Sequence, residues 1–188
     1  MKVGDINIEE IVFTKTRELL IRYGVKGWNM DDLARECNMS KRTLYKIICS
    51  KEELILKCIS EGLNRNLSKI TKSLTSSKSF PEQLFEFITM ITENFEEYVL
   101  KSISAIRIEY PRVKKEEEIF LNKRHKLLST FFKKGKNEGY LADYVNPETV
   151  YKIVYALVDH NISVCDNKTD FKKEIEETLG LLFKELLK

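Results

Sequence analysis

Seven glycines and three prolines are all that interrupt 188 residues, and this scarcity constrains the fold more than any other feature. A β-sandwich or barrel needs turn residues every few positions, so the chain lacks the punctuation for many short strands. Apolar residues recur instead at helical spacing. Ile8, Ile11, Val12, Leu19 and Leu20 mark a first helix over about Ile6 to Tyr23, with Gly24 placed to end it. Asn29 can cap a short second helix, closing near Cys37, and Asp32 adds negative charge to its first turn. Asn38 suits a left-handed stop, and Ser40 caps a third helix from Lys41 to about Ile48. Ser50-Lys51-Glu52-Glu53 reads as a capping box opening a long fourth helix that extends towards Ser73.

After a polar break, Pro81 is placed to begin a fifth helix with Leu84, Ile88, Ile91 and Phe95 on one stripe. Pro111 bounds a short sixth segment around Ile103 and Ile106. A seventh helix is expected from about Lys114 to Asn137, with Phe120, Leu127, Leu128 and Phe131 as its apolar face and Gly139 ending it. Asn146-Pro147 opens an eighth to about Val164, and Thr169 or Asp170 caps a ninth reaching Leu187. About nine helices and no convincing strand predict an all-α chain.

The composition narrows the function classes. At 43% hydrophobic and 32% charged residues the chain suits a soluble globular protein. No apolar run approaches the roughly 18 residues of a membrane span, and MKVGDINIEE lacks a secretory core before Glu9 and Glu10. A cytoplasmic protein with no membrane partner is expected. Cys37, Cys49, Cys58 and Cys165 form no Cys-x-x-Cys pair and read as small buried thiols of a reducing compartment. His125 and His160 stand at no metal-ligand spacing, so no metal and no cofactor are expected. There is no Gly-rich phosphate loop and no nucleophile-His-acid pattern; no catalytic residue is assigned, and the chain is not expected to be an enzyme.

The two short helices joined by a tight turn have the dimensions of a helix-turn-helix. The net charge of +3 decides little, but its distribution is informative. From Arg35 to Lys51 the bases Arg35, Lys41, Arg42, Lys46 and Lys51 face a single acid, Glu36. Ser40, Lys41, Arg42 and Thr43 crowd the start of the third helix, where a recognition helix offers base-reading and phosphate-binding groups to the major groove. Leu44 is expected to face inward. Tyr45 can pack against the DNA backbone and reach a phosphate oxygen, and Lys51, at a helix start, is placed for another. A solvated charged face with a half-buried packing tyrosine is the alternative.

Asp32-Leu33-Ala34 followed by MSKRTLYKIICSKEEL, from Met39 to Leu54, resembles the DNA-binding domain of the TetR family of transcriptional regulators. The resemblance covers about Ile8 to Leu63. It implies a helix-turn-helix DNA-binding domain over residues 1–50 and a helical effector-binding and dimerisation domain over 51–188. By the same resemblance Asn29, Ser40, Lys41, Arg42, Thr43, Tyr45, Lys46 and Lys51 are the DNA-contacting set. Three positions depart from the family pattern: Trp28 replaces a small hydroxyl residue, Ile47 a polar group, and Ile48 a phenylalanine. The family's usual activity implies a repressor released from its operator when a ligand moves the fourth helix, Lys51 to Ser73.

Helix-turn-helix proteins normally pair to read pseudo-palindromic double-stranded DNA with half-sites ~34–36 Å apart. Val150, Val154, Leu157, Val158 and Asn161 form one stripe, and Phe171, Ile175, Leu179, Leu182 and Leu186 another. These are the expected homodimer interface, the alternative being that they close the monomer core. The resemblance places an effector pocket among the fourth to eighth helices. Ile59, Ile88, Ile91, Thr92 and Phe95, with Ile106, Tyr110, Phe120 and Tyr155, are its expected lining for a small apolar or amphipathic molecule, and His125 is a candidate polar contact. The competing expectation is a TetR-fold DNA-binding protein controlled by a protein partner or by no small molecule.

Overall fold

Short-range signals end the helices where the sequence places them. Gly24, at φ 64, stops the first helix by donating its N–H to Leu20 O at 3.0 Å. Asn38 (φ 50) and Gly139 (φ 81) each occupy the left-handed position of a Schellman stop. Met39 N–H reaches back to Ala34 O at 3.0 Å in the first, and Tyr140 N–H to Gly135 O at 2.9 Å in the second.

The computed structural model describes residues 6–93 and 96–188, and all their side chains but those of residues 6, 7, 97, 98 and 100. Among the described residues the elements are α1 (Ile6–Tyr23), α2 (Met30–Glu36), α3 (Lys41–Ile47), α4 (Lys51–Leu74), α5 (Phe80–Glu93), α6 (Glu97–Glu109), α7 (Pro111–Asn137), α8 (Pro147–Val164) and α9 (Lys168–Leu186). The chain is all-α. Three starts differ from expectation. At α5 the helix begins one residue before Pro81, because Glu82 accepts from Ser79 N–H at 2.9 Å and from Ser79 Oγ at 2.6 Å. Pro111 opens α7 instead of merely bounding it, since a proline at the first helical position forfeits no intrahelical bond. At α9 the cap is Asn167, not Thr169 or Asp170: its Oδ1 accepts Asp170 N–H at 2.9 Å.

The chain divides into two compact units, and the division falls within α4 and within α7. One comprises the chain up to Leu63 with Glu97–Glu117, so residues of the sixth and seventh helices join the N-terminal helices. A boundary at residue 50 does not coincide with this division. In this unit α1 packs on α6 and α2, and α2 on α3. Val12, Leu20, Leu33, Leu44, Leu54, Ile55 and Ile106 lose all solvent contact. Thr16 hides its hydroxyl by donating to Val12 O at 2.8 Å, and Ser102 of α6 donates to Leu20 O of α1 at 3.3 Å. Glu117, buried, accepts both ends of the Arg107 guanidinium at 2.6 and 2.8 Å, which compensates its desolvation.

The other unit comprises Asn64–Glu96 and Glu118–Lys188, where α9 packs on α5 and α8. Its core is aromatic. Phe80 stacks on Phe131 at 4.6 Å and on Tyr140 at 5.5 Å, and Phe132 lies 5.9 Å from Phe183. The loop after α7 pairs with the end of the chain, Ala142 N–H donating to Leu186 O and Lys188 N–H to Tyr140 O, each at 3.0 Å.

Candidate nucleic-acid interface

Both helices of the helix-turn-helix are seven residues long, too short to persist alone, so caps and burial define them. Asn29 Oδ1 accepts from Asp31 N–H at 2.8 Å and Asp32 N–H at 3.1 Å, and Asp32 accepts from Asn29 N–H at 2.8 Å, a complete capping box. Ser40 Oγ accepts from Thr43 N–H at 3.1 Å and lies 2.8 Å from the Thr43 hydroxyl. Ser50 Oγ accepts from Glu53 N–H at 3.1 Å at the start of α4. Leu33, Ala34 and Leu44 fill the interior between α2 and α3, as expected for Leu44, and Ile48 is buried where the departing phenylalanine would be.

With Leu44 inward, α3 turns Lys41, Arg42, Tyr45 and Lys46 outward, all exposed. Arg42, Tyr45 and Lys46 stand at i, i+3 and i+4, which puts them on one face. Ile47 is half-buried at the edge of that face. The charge here is less one-sided than the sequence window suggests. Lys41 Nζ meets Asp31 at 2.7 Å, Arg35 pairs with Asp32, and Arg22 meets Glu36 at 3.3 Å. Among the described residues Arg42 and Lys46 are in no ion pair, so they are the cations of α3 most ready for a phosphate or a base edge.

Lys51 does not present its charge outward. Its ammonium donates to Val25 O at 2.6 Å and Trp28 O at 2.5 Å and lies 3.9 Å from the centre of the Trp28 ring. Burial pushes its pKa down, opposed by the charges of Asp32 and Glu109. Without DNA, two carbonyls and an aromatic face engage the amine for which a phosphate contact is expected. Trp28 itself is 4% exposed, a buried wedge at the site of the family's small hydroxyl residue.

Ile59, Ile106 and Tyr110 fall in the first unit; Ile88, Ile91, Thr92, Phe120 and Tyr155 fall in the second. Ile59, Ile91, Ile106, Thr92 and Phe120 are buried, and Thr92 spends its hydroxyl proton on Thr89 O at 3.0 Å. Phe95 lies outside the described residues. His125, half-exposed, stacks on Tyr151 at 4.2 Å and meets Glu148 at 2.8 Å, a pairing no local signal in the sequence announces. Both stripes expected at a dimer interface lie largely inside the chain itself. Val150, Val154, Val158, Asn161, Phe171, Ile175 and Leu179 are buried within their own chain, and Leu157, Leu182 and Leu186 are half-buried. Of the four thiols, Cys58 and Cys165 are buried, Cys37 is half-buried and pushed up to about 11 by that burial, and Cys49 is exposed. An open groove of about 590 Å³ lined by Tyr23, Trp28, Asp32, Arg35 and Glu36, among others, shares no residue with the expected effector set. Among the described residues no group of three His, Cys, Asp or Glu could hold a metal ion, and no helix is long and apolar enough to cross a membrane.

The segment 13–58, which contains α2, α3 and the first turns of α4, matches the profile of the bacterial regulatory proteins, tetR family. The chain carries a TetR-family domain. Solved structures with the same fold cover nearly the whole length. A TetR-family transcriptional regulator from Agrobacterium tumefaciens superposes with a TM-score of 0.78 at 15% identity, covering 97% of this chain and 98% of its own. NemR of E. coli in its reduced form gives 0.78 at 15% identity, covering 97% of each chain. A transcriptional regulator from Saccharomonospora viridis in complex with choline gives 0.79 at 12% identity, covering 98% of this chain and 100% of its own. At these identities the likeness is one of fold. No curated protein matches the sequence. The helix-turn-helix lies inside the matched segment, and the likeness in fold to TetR-family regulators extends over nearly the whole chain.

Proposed function

We propose that the protein is a cytoplasmic homodimeric repressor that reads a pseudo-palindromic operator and is released from it by a small molecule. The observation that carries the reading is the outward face of α3, where Arg42, Tyr45 and Lys46 are exposed side by side over a buried Leu44. Arg42 offers a fork that suits a guanine edge, while Tyr45 and Lys46 offer phosphate contacts. Asn29, Ser40 and Thr43 hold the helix ends that set the height of this face, and Lys41 joins it by giving up a solvent-screened ion pair with Asp31.

A second copy is proposed on the other face of α8. Ile153, Ala156, His160 and Val164 are exposed along one stripe, and Leu181 is 67% exposed on α9. This face, unlike the buried stripes, has apolar surface left to give a partner. Functionally the reader is residues 1–50 and the effector and pairing part 51–188, although helices of the latter complete the core of the former. The choline complex of the Saccharomonospora protein supports a small-molecule effector for this fold. Such a molecule acts only through its preference for one of two conformations.

The test is fluorescence anisotropy on a duplex selected by the wild-type protein from random DNA, with Arg42→Ala and Tyr45→Ala alongside. The reading expects tight, steeply salt-dependent binding that each variant weakens. Binding indifferent to both substitutions removes α3 as the reading surface.

A further inference from the structure

The corner of the first unit where α4 begins carries contacts that DNA reading by α3 does not by itself explain. Lys51 is the first residue of α4, and its ammonium reaches back 23 and 26 residues to two carbonyls of the turn between α1 and α2. The same ammonium sits over the face of Trp28, the single tryptophan of the chain. Trp28 is buried, yet among the described residues its indole N–H finds no acceptor. Its polar edge is therefore not what holds the ring there; what it offers is a broad face to a cation and a carbonyl to the same cation. The next residue is Asn29, whose side chain caps α2. Two further ion pairs frame the corner: Lys26 of the turn with Glu109 of α6 at 2.9 Å, and Glu52 of α4 with Arg112 of α7 at 3.8 Å. Burial lowers the Lys51 pKa, and the charges of Asp32 and Glu109 oppose that shift without cancelling it.

Resting on the proposed DNA reading, we infer that Trp28 and Lys51 are a positioning pair: the ammonium clamped between the Val25 and Trp28 carbonyls and the indole face fixes the α2 cap against the start of α4, and so sets the presentation of α3 to DNA. Lys51 then acts through Trp28 and Asn29 rather than on a phosphate. The two roles predict different salt behaviour. A lost phosphate contact lowers the slope of log affinity against log salt by roughly 0.9, whereas lost positioning weakens binding at every salt with the slope intact. The pair also behaves as a unit, so its members are non-additive. A phenylalanine at position 28 keeps an aromatic face and has no indole N–H to strand, so it preserves the clamp; leucine does not.

The experiment measures anisotropy across a salt series on the selected duplex for wild type, Lys51→Met, Trp28→Leu, Trp28→Phe and the Lys51→Met/Trp28→Leu double variant, with circular dichroism confirming that each is folded. Lys51→Met and Trp28→Leu are expected to weaken binding about tenfold at unchanged slope, the double variant no more than the weaker single one, and Trp28→Phe to stay near wild type. Trp28 emission shifts in Lys51→Met as the cation leaves the ring. Should Lys51→Met fail to fold, Lys51→Gln, whose amide can donate to one carbonyl, replaces it in the same comparison. A slope lowered by about 0.9 per protomer in the Lys51 variant makes Lys51 a phosphate ligand and overturns the proposal. Wild-type affinity in folded variants reduces the pair to scaffold and also overturns it. A wild-type protein that selects no DNA overturns the reading of α3 and the positioning role together, and is recognised in the wild-type lane alone.

Discussion

Gly135 tests whether the aromatic core of the second unit is as tightly built as it looks. An alanine here, in the last turn of α7, is expected on propensity alone to stabilise the helix by up to ~1 kcal/mol. The structure reverses that sign. A Cβ built on Gly135 stands 2.2 Å from Cε2, 2.5 Å from Cζ and 2.6 Å from Cδ2 of Phe80. Ordinary carbon contacts are about 3.5–4.0 Å, so the ring must retreat by over an ångström. It has little room, being 1% exposed and stacked between Phe131 and Tyr140. Overpacking of this kind costs about 1–3 kcal/mol, and taking the upper half of that range against the propensity gain leaves Gly135→Ala destabilised by roughly 1–2 kcal/mol. For a chain of this size that is a Tm lower by about 2–8 °C. Gly180, exposed in α9 with no described residue within 4 Å of its would-be Cβ, is the control: Gly180→Ala rises by roughly 0.5–1 kcal/mol. Urea unfolding at fixed protein concentration reads both, and placing Gly135→Ala in a Phe80→Leu background halves its cost or better. A Gly135→Ala variant as stable as Gly180→Ala refutes the close approach of α7 to Phe80.

Lys46→Ala lowers the salt slope of DNA binding by roughly 0.9 per protomer, read by anisotropy, because Lys46 is exposed and in no ion pair among the described residues; an unchanged slope removes its phosphate contact. The Asn29 N–H, foremost, and Arg35 hold the Asp32 carboxyl below its ordinary value. A depressed folded-state pKa contributes stability above about pH 4 and loses it as the pH falls through the lower folded value. The urea-midpoint gap between wild type and Asp32→Asn should therefore close on acidification from about pH 5, and a constant gap contradicts the assignment. Ile153→Glu, at a side chain 39% exposed, yields a folded monomer in sedimentation; an unchanged dimer rules out that face of α8.

Signals that act within a few residues were legible in the sequence. Gly24, Asn38 and Gly139 stop their helices where they were expected to, since a left-handed residue is a local requirement. The Asn29 and Ser40 caps follow equally from spacing. The start of α9 was not legible because Asn167, Thr169 and Asp170 all have capping chemistry and only the fold selects among them. The carbonyl and indole contacts of Lys51 were not legible for a non-local reason: the Val25 and Trp28 carbonyls are more than twenty residues away, and a basic residue at a helix start looks the same whether it faces solvent or an indole. The stripes on α8 and α9 show the limit of periodicity. Spacing says that Val154 or Ile175 is buried, but not whether its own chain or a partner buries it. The charge run from Arg35 to Lys51 likewise stopped short of Asp31 and Asp32, which fold back onto Lys41 and Arg35.

The outward face of α3 is the proposed reader of DNA sequence. Selection from random duplex DNA, run in parallel with wild type and Arg42→Ala and sequenced, tests it directly. Wild type is expected to enrich a two-fold-related pair of half-sites about one helical turn apart, and Arg42→Ala to relax the preference at one base pair in each half-site while the others persist. No enrichment by wild type, or the same preferences in both selections, contradicts it.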